Sequence, residues 1–376
     1  MTHTRISTAS LDFLRGIAAV YVVVNHTRGA FFRGGERVMA DAATAHLDFF
    51  DYIALSLLQL TSLGTEFVIL FFCVSGVAMA HSINGSTNIT RFYMKRMIRI
   101  WPSYAAAVAL AGVACWTFAA ISPGNAFSKS CVGTFCSITE IGRILLYISP
   151  GTVLTPQFWS LPYEVIFYAL CPLLLATKAR VAVVLALSVA FTIAGSLAYG
   201  IRLNPSSSIF VNFLICALFW FMCGAAAYHF ISKVPALSPM AFYIVSIVTL
   251  AVALAIKKIV GDSNALSNFI MIIFTVNCVK NLPPSLYSRR FLNWGFFSYS
   301  IYIFHYAFVA MIAFFLDTKY DIQRADIHSY FAWIAAVPPI LFGCWILYYC
   351  VEKHCNDYLS HLRSSSAIGG QIAAAP

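Results

Sequence analysis

The sequence predicts an all-α, polytopic integral membrane helix bundle of about ten transmembrane helices with both termini cytoplasmic. Three observations carry that expectation. First, the 376 residues are 60% hydrophobic and only 10% charged, with a mean hydropathy of +0.80, whereas a soluble domain carries roughly 25% charged residues. Lipid must therefore solvate most of the outer surface, and every backbone polar group must be satisfied within helices or a closed barrel. Second, the apolar runs reach the roughly 20 residues needed to cross a hydrocarbon core of about 30 Å, while barrel strands show short alternating segments. Third, Lys and Arg punctuate those runs, so the formal charge of +10 reads as membrane topology and not as a nucleic-acid surface.

The ten predicted spans fall near 13 to 32, 64 to 81, 101 to 121, 158 to 176, 181 to 200, 209 to 231, 239 to 256, 265 to 279, 291 to 316 and 330 to 351. The first is expected to stay in the mature chain, because Arg15 and Gly16 interrupt its apolar stretch and no small-residue cleavage site follows. The segment 52 to 63, YIALSLLQLTSL, is too short to cross alone and is expected to extend the second span or lie at the interface. Placing both ends inside gathers Arg91, Lys95, Arg96, Arg99, Lys178, Arg180, Lys233, Arg289 and Arg290 in short inner loops. The loop 122 to 157 then faces outward, where Cys131 and Cys136 (CVGTFC) either close a small disulfide or remain free thiols. Most of the eleven cysteines lie in apolar runs, and no close-spaced Cys/His set reads as a metal site. The domain is predicted over 1–363, with 364–376 a disordered cytoplasmic tail of small uncharged residues.

Ionisable residues inside such runs cost a few kcal/mol each on insertion scales and mark candidate functional sites. In LDFLRGIAAVYVVVNHT, Arg15 and His26 stand eleven residues apart, a helical rise of about 16 Å. With Arg15 at the cytoplasmic boundary, His26 reaches the middle of the membrane, where a neutral imidazole is available as a base; the structural alternative is a histidine bonded across a helix interface beside Asn25. In FYMKRMIRIWPSY, Arg96 and Arg99 are spaced i, i+3 and share a face, able to clamp phosphate or simply to anchor the positive-inside end. Glu164 in WSLPYEVIFY either wants a specific partner or favours a helix N-terminus. In SYSIYIFHY, Ser298, Tyr302 and His305 lie on one stripe, which fits a substrate path or a packed polar seam. Glu66 in GTEFVILFFCVSG is a further isolated carboxylate.

Taken in order, LDFLRGIAAVYVVVNHT, FFCVSG, FYMKRMIRIWPSY, WSLPYEVIFY and SYSIYIFHY resemble the acyltransferase 3 family of polytopic membrane enzymes, from about Leu11 to the end of the tenth span. The resemblance implies a ten-helix bundle that moves acyl groups, often acetyl or succinyl, from cytoplasmic acyl-coenzyme A to a hydroxyl of a glycan, lipid-linked sugar or macrolide. Carried over by position, it implies catalytic His26 and Glu164 and donor-binding Arg15, Arg96 and Arg99; the anomalous polar residues themselves add Glu66, Ser298, Tyr302 and His305 as an expected substrate path. Where the family often has an acidic residue six before the Ser-Gly pair, this chain has Ile69, with Glu66 three residues earlier.

The function expected is therefore membrane O-acyl transfer, with acyl-coenzyme A (acetyl-CoA foremost) as donor substrate and a glycan or lipid-linked saccharide as acceptor. No metal and no nucleic acid are expected, membrane lipid is the surrounding partner, and the location is a cell membrane, the inner one in a Gram-negative bacterium. His26 would act as base toward the acceptor hydroxyl or as a transient acyl carrier, with Glu164 nearer the outer side. The rival of a different class is a secondary transporter whose buried charges form an ion path. A membrane-bound O-acyltransferase of unrelated fold, using His305, and a non-catalytic scaffold are further alternatives.

Overall fold

The computed structural model describes residues 6–31, 49–84, 88–124, 126–199, 208–261, 264–288, 294–320 and 327–360. Arg289, Arg290 and the tail 364–376 lie outside them. Among the described residues there are helices and turns but no strand.

Among the described residues, eight helices are long and apolar enough to cross a membrane, as the composition requires of a multi-pass protein. The predicted fourth and eighth spans are shorter. The first three helices of the chain are α1 (Thr8–Phe31), α2 (Phe49–Gln59) and α3 (Gly64–Asn84). Next come α4 (Ile89–Ile121), α5 (Ala126–Phe135), α6 (Ile138–Leu145) and α7 (Leu161–Leu174), the last entered through a 3-10 turn at Pro156–Ser160. Then follow α8 (Lys178–Tyr199), α9 (Ile209–Lys233), α10 (Pro239–Val260) and α11 (Ala265–Asn281). Finally α12 (Ser298–Tyr320) follows a 3-10 turn at Trp294–Phe297, and α13 (Ile327–Leu347) runs on through a π turn at Tyr348–Glu352. At 14 residues, α7 rises only about 21 Å.

The bundle is organised around α3, whose span is 83% buried, while the spans of α8 and α10 are 17% buried and face outward. Lipid gives helices no hydrophobic reason to associate with one another, so close approach falls to small residues. Gly224 of α9 illustrates this: a Cβ there would stand 1.8 Å from the Cys73 carbonyl oxygen of α3. At one end of the bundle, Gly16 of α1 lies against Gly295 and Trp294, and a Cβ on Gly295 would meet the Asp12 carbonyl oxygen at 2.0 Å. That contact sets the start of α12 against α1. Buried Glu352, in the π turn, holds the same start from the other side, accepting from the Ser300 amide (3.1 Å) and hydroxyl (2.5 Å). A carboxylate at a helix N-terminus meets both unpaired amides and the positive end of the dipole.

The segment 52 to 63 forms the end of a separate helix and a turn, and the apolar span that contains α3 begins within it, at Ser56. Polar groups of α1 satisfy the break's backbone: the Tyr21 hydroxyl donates to the Leu60 carbonyl (2.6 Å) and Asn25 donates to that of Thr61 (2.7 Å). Exposed Phe49, Phe50, Tyr52, Ile53 and Leu57 on α2 give it the apolar face of an interfacial helix. The segment 122 to 157, expected as a loop, is largely helical. Cys131 and Cys136 are both free, the first buried and the second exposed. They lie five residues apart across the end of α5, so their side chains point about 140° away from each other and the disulfide alternative falls.

Candidate active site

The arginines anticipated from the sequence converge. Arg15 of α1 and Arg96 and Arg99 of α4 line one cavity with Glu164 and Tyr168 of α7, Ser160, Ser75 of α3, and Ser298, Tyr299 and Tyr302 of α12. Phe71, Phe72, Val68 and Ile100 complete its apolar wall. Arg15 reaches Asp12 only at 3.5 Å. The Arg96 guanidinium lies 5.4 Å from the Phe92 ring centre and 5.5 Å from that of Tyr168, cation–π distances that use its faces and leave its edge for an anion. Its Nε is buried without a hydrogen-bond partner. The Tyr93 hydroxyl donates to the Ala169 carbonyl (2.7 Å) and the Tyr299 hydroxyl to that of Ile100 (3.1 Å), which ties α4 to α7 and to α12.

Glu164 does not sit toward the opposite end of the bundle from the arginines, as the sequence reading had it. It shares their cavity and accepts a hydrogen bond from the Tyr168 hydroxyl. The reason is local. The 3-10 turn before α7 is plugged into α12, with the Gln157 amide donating to the Ile303 carbonyl (2.9 Å), the Ser160 hydroxyl 2.5 Å from that of Tyr302, and the Tyr302 hydroxyl 2.9 Å from the Gln157 carbonyl. So α7 begins within the bundle, and its first turn delivers Glu164 to the depth of the arginine cavity. Three guanidinium groups face one carboxylate there, which leaves the cavity cationic.

His26 and His305 meet. Nδ1 of His26 lies 2.8 Å from Nε2 of His305, with the rings nearly parallel (14°) and 5.1 Å apart. His305 is fully buried and its Nδ1 stands 2.9 Å from the Ile301 carbonyl oxygen. Tyr306 presents its ring edge-on to His26 at 5.4 Å. Neither histidine lines the arginine cavity, but Tyr302 joins the two regions: its ring lies 6.2 Å from that of His305 and it forms part of the cavity wall. The stripe of Ser298, Tyr302 and His305 thus runs from the cavity to the histidine pair. Trp333 of α13 donates to the Val24 carbonyl (3.2 Å) and holds this part of α1 in place.

Glu66 stands elsewhere. It is fully buried, 2.9 Å from Lys257 of α10 and 3.0 Å from the Ser267 hydroxyl of α11, and it does not line the cavity. Ile69 is itself fully buried. Glu66 therefore joins three helices rather than lining the expected path. Gln157, Tyr168, Tyr299 and Glu352 were not anticipated; a carboxylate ending the apolar run LYYCVE was the available signal for the last.

Five motifs in order, a half-buried histidine paired with a buried one, and a cationic cavity at the motif arginines are now in place, and the profile of the acyltransferase domain of this family matches residues 8–349. The chain belongs to the acyltransferase 3 family. It is thus a multi-pass membrane protein of an acyltransferase family, matched over nearly its whole length. Comparison with curated proteins and with solved structures gave no significant match.

Proposed function

We propose that this acyltransferase 3 member is a membrane O-acyltransferase that takes an acyl group, acetyl foremost, from cytoplasmic acyl-coenzyme A and esterifies a hydroxyl of a glycan or lipid-linked saccharide. The observation that carries the reading is the convergence of Arg15, Arg96 and Arg99 on one cavity, with His26 eleven residues farther along the helix that carries Arg15. Guanidinium groups bind phosphate oxygens through charge-assisted, often bidentate bonds. A donor whose phosphates rest there extends its thioester arm the roughly 16 Å of α1 to the histidine pair, past Tyr302.

At that point His26 takes the proton of the acceptor hydroxyl as its oxygen attacks the thioester carbonyl. The ester C–O bond forms, the C–S bond breaks, and the proton passes from the imidazolium to the departing thiolate, so that coenzyme A leaves as the thiol. Tyr302, Ser298 and His305 line the route, and the apolar surroundings limit hydrolysis of the thioester. Glu164, at the donor end with Tyr168, orients the donor against the arginines rather than the acceptor. The arginine end of the bundle is cytoplasmic on this reading, and the protein resides in a cell membrane, the inner one in a Gram-negative bacterium.

The test compares ester content of surface and exported glycans in cells with and without the protein, alongside transfer from labelled acetyl-CoA by the purified chain. Loss of a glycan ester together with donor turnover is expected. Identical glycans and no turnover with any short acyl-CoA would overturn the reading. Vectorial transport by reconstituted vesicles in the absence of any acyl donor would favour a carrier instead.

A further inference from the structure

We infer that His305 is a positioning residue that fixes the tautomer of His26, so that Nε2 of His26 is the nitrogen open to the reaction. The inference rests on the acyl-transfer reading for its consequence, though not for its geometry. A backbone carbonyl can only accept a hydrogen bond, so the 2.9 Å contact between His305 Nδ1 and the Ile301 oxygen places a proton on Nδ1. A neutral imidazole has one N–H, and Nε2 of His305 therefore presents a lone pair. That lone pair faces Nδ1 of His26 at 2.8 Å, which must carry the proton and donate it. Nε2 of His26 is left without one.

The neutral state of both rings follows from their company. The groups facing them are the Tyr302 and Tyr306 rings and, at His305, the Ile301 and Tyr302 backbone carbonyls; on α13 the Cys344 sulfur lies 4.0 Å from the Ile301 oxygen. No carboxylate among the described residues bonds to either imidazole, and two imidazolium rings with their centres 5.1 Å apart would repel. The relay runs from one backbone oxygen through two rings to one free nitrogen. It is the logic by which an orienting group sets the tautomer of a catalytic histidine, with a second histidine anchored on backbone where other enzymes use a carboxylate. That substitution suits a membrane interior, since it holds the ring without burying a charge.

The direct test is nitrogen-15 NMR of histidine-labelled protein in lipid, with His26→Ala and His305→Leu used to assign the two rings. The expected spectrum has His26 protonated on Nδ1 and bare on Nε2, and His305 likewise. In His305→Leu the acceptor is gone: His26 should gain the Nε2–H form and transfer should fall by about 10- to 100-fold, the scale seen when a partner orienting a metal-bound imidazole is removed, with donor binding unchanged. His305→Gln places an amide oxygen where Nε2 stood and should restore both the tautomer and most of the rate. A wild-type His26 protonated on Nε2, or on both nitrogens at neutral pH, would overturn the assignment. So would a His305→Leu protein that keeps both the wild-type tautomer and the wild-type rate. Because the wild-type spectrum needs no turnover, it stands or falls separately from the acyl-transfer reading.

Discussion

Removing one cation from the arginine cavity should weaken donor binding by a definite amount. Arg96→Met is the informative change, because methionine keeps an apolar stem between the Phe92 and Tyr168 rings while deleting the charge and the unpartnered Nε. A charge-assisted hydrogen bond contributes about 1.5–3 kcal/mol, and each 1.4 kcal/mol or so is tenfold in affinity. The variant should therefore bind coenzyme A roughly 10- to 150-fold more weakly. Loss of the two cation–π contacts, about 0.5–1 kcal/mol each at accessible sites, should lower the melting temperature slightly without unfolding the bundle. Isothermal titration of coenzyme A into detergent-purified protein reads the affinity, and Glu164→Gln supplies the opposite sign: removing the cavity's carboxylate should leave binding of the anionic donor equal or tighter. A folded Arg96→Met protein that binds within twofold of the parent, or a Glu164→Gln protein that binds much more weakly, would refute the placement of the donor phosphates.

Two further outcomes follow from the geometry. Glu66→Gln or Lys257→Met alone should destabilise the protein by about 3–5 kcal/mol, because each strands a buried charge, whereas the double variant should recover much of the loss; thermal unfolding in detergent distinguishes this pair from a catalytic one, since donor affinity should not change. Cys136 should alkylate readily in folded protein while Cys131 resists, because burial beside Cys115 pushes the Cys131 thiol up to about 12 and leaves little thiolate at pH 8; mass spectrometry of peptides taken without reductant should show no bond between them.

The polar residues that stood out in apolar runs are the ones the fold gathers. Arg15, Arg96, Arg99 and Glu164 needed no partner information to be noticed, because each is costly where it stands, and the i, i+3 spacing already put two of the arginines on one face. Depth was not legible for Glu164. An apolar run of span-like length concealed a 3-10 turn wedged against α12 and a helix of 14 residues, so counting from the run's start placed the carboxylate at the wrong level. Pairing was not legible either. His26 and His305 were separate anomalies 279 residues apart, and nothing local to either says that they meet. Glu66 shows the same limit in reverse: its isolation in α3 suggested a path residue, whereas its partner Lys257 stands at the end of another helix, where a lysine reads as an ordinary loop charge. Glu352 fell one residue beyond the predicted last span, and its use, capping α12 from a π turn, depends on a bulge that apolar periodicity does not reveal.

The most direct measurement is transfer from labelled acetyl-CoA by His26→Ala, made in parallel with coenzyme A titration on the same sample. Acyl transfer should disappear while the donor binds with parental affinity, since the arginines are untouched. Turnover at the parental rate in a folded His26→Ala protein would contradict the account at its centre.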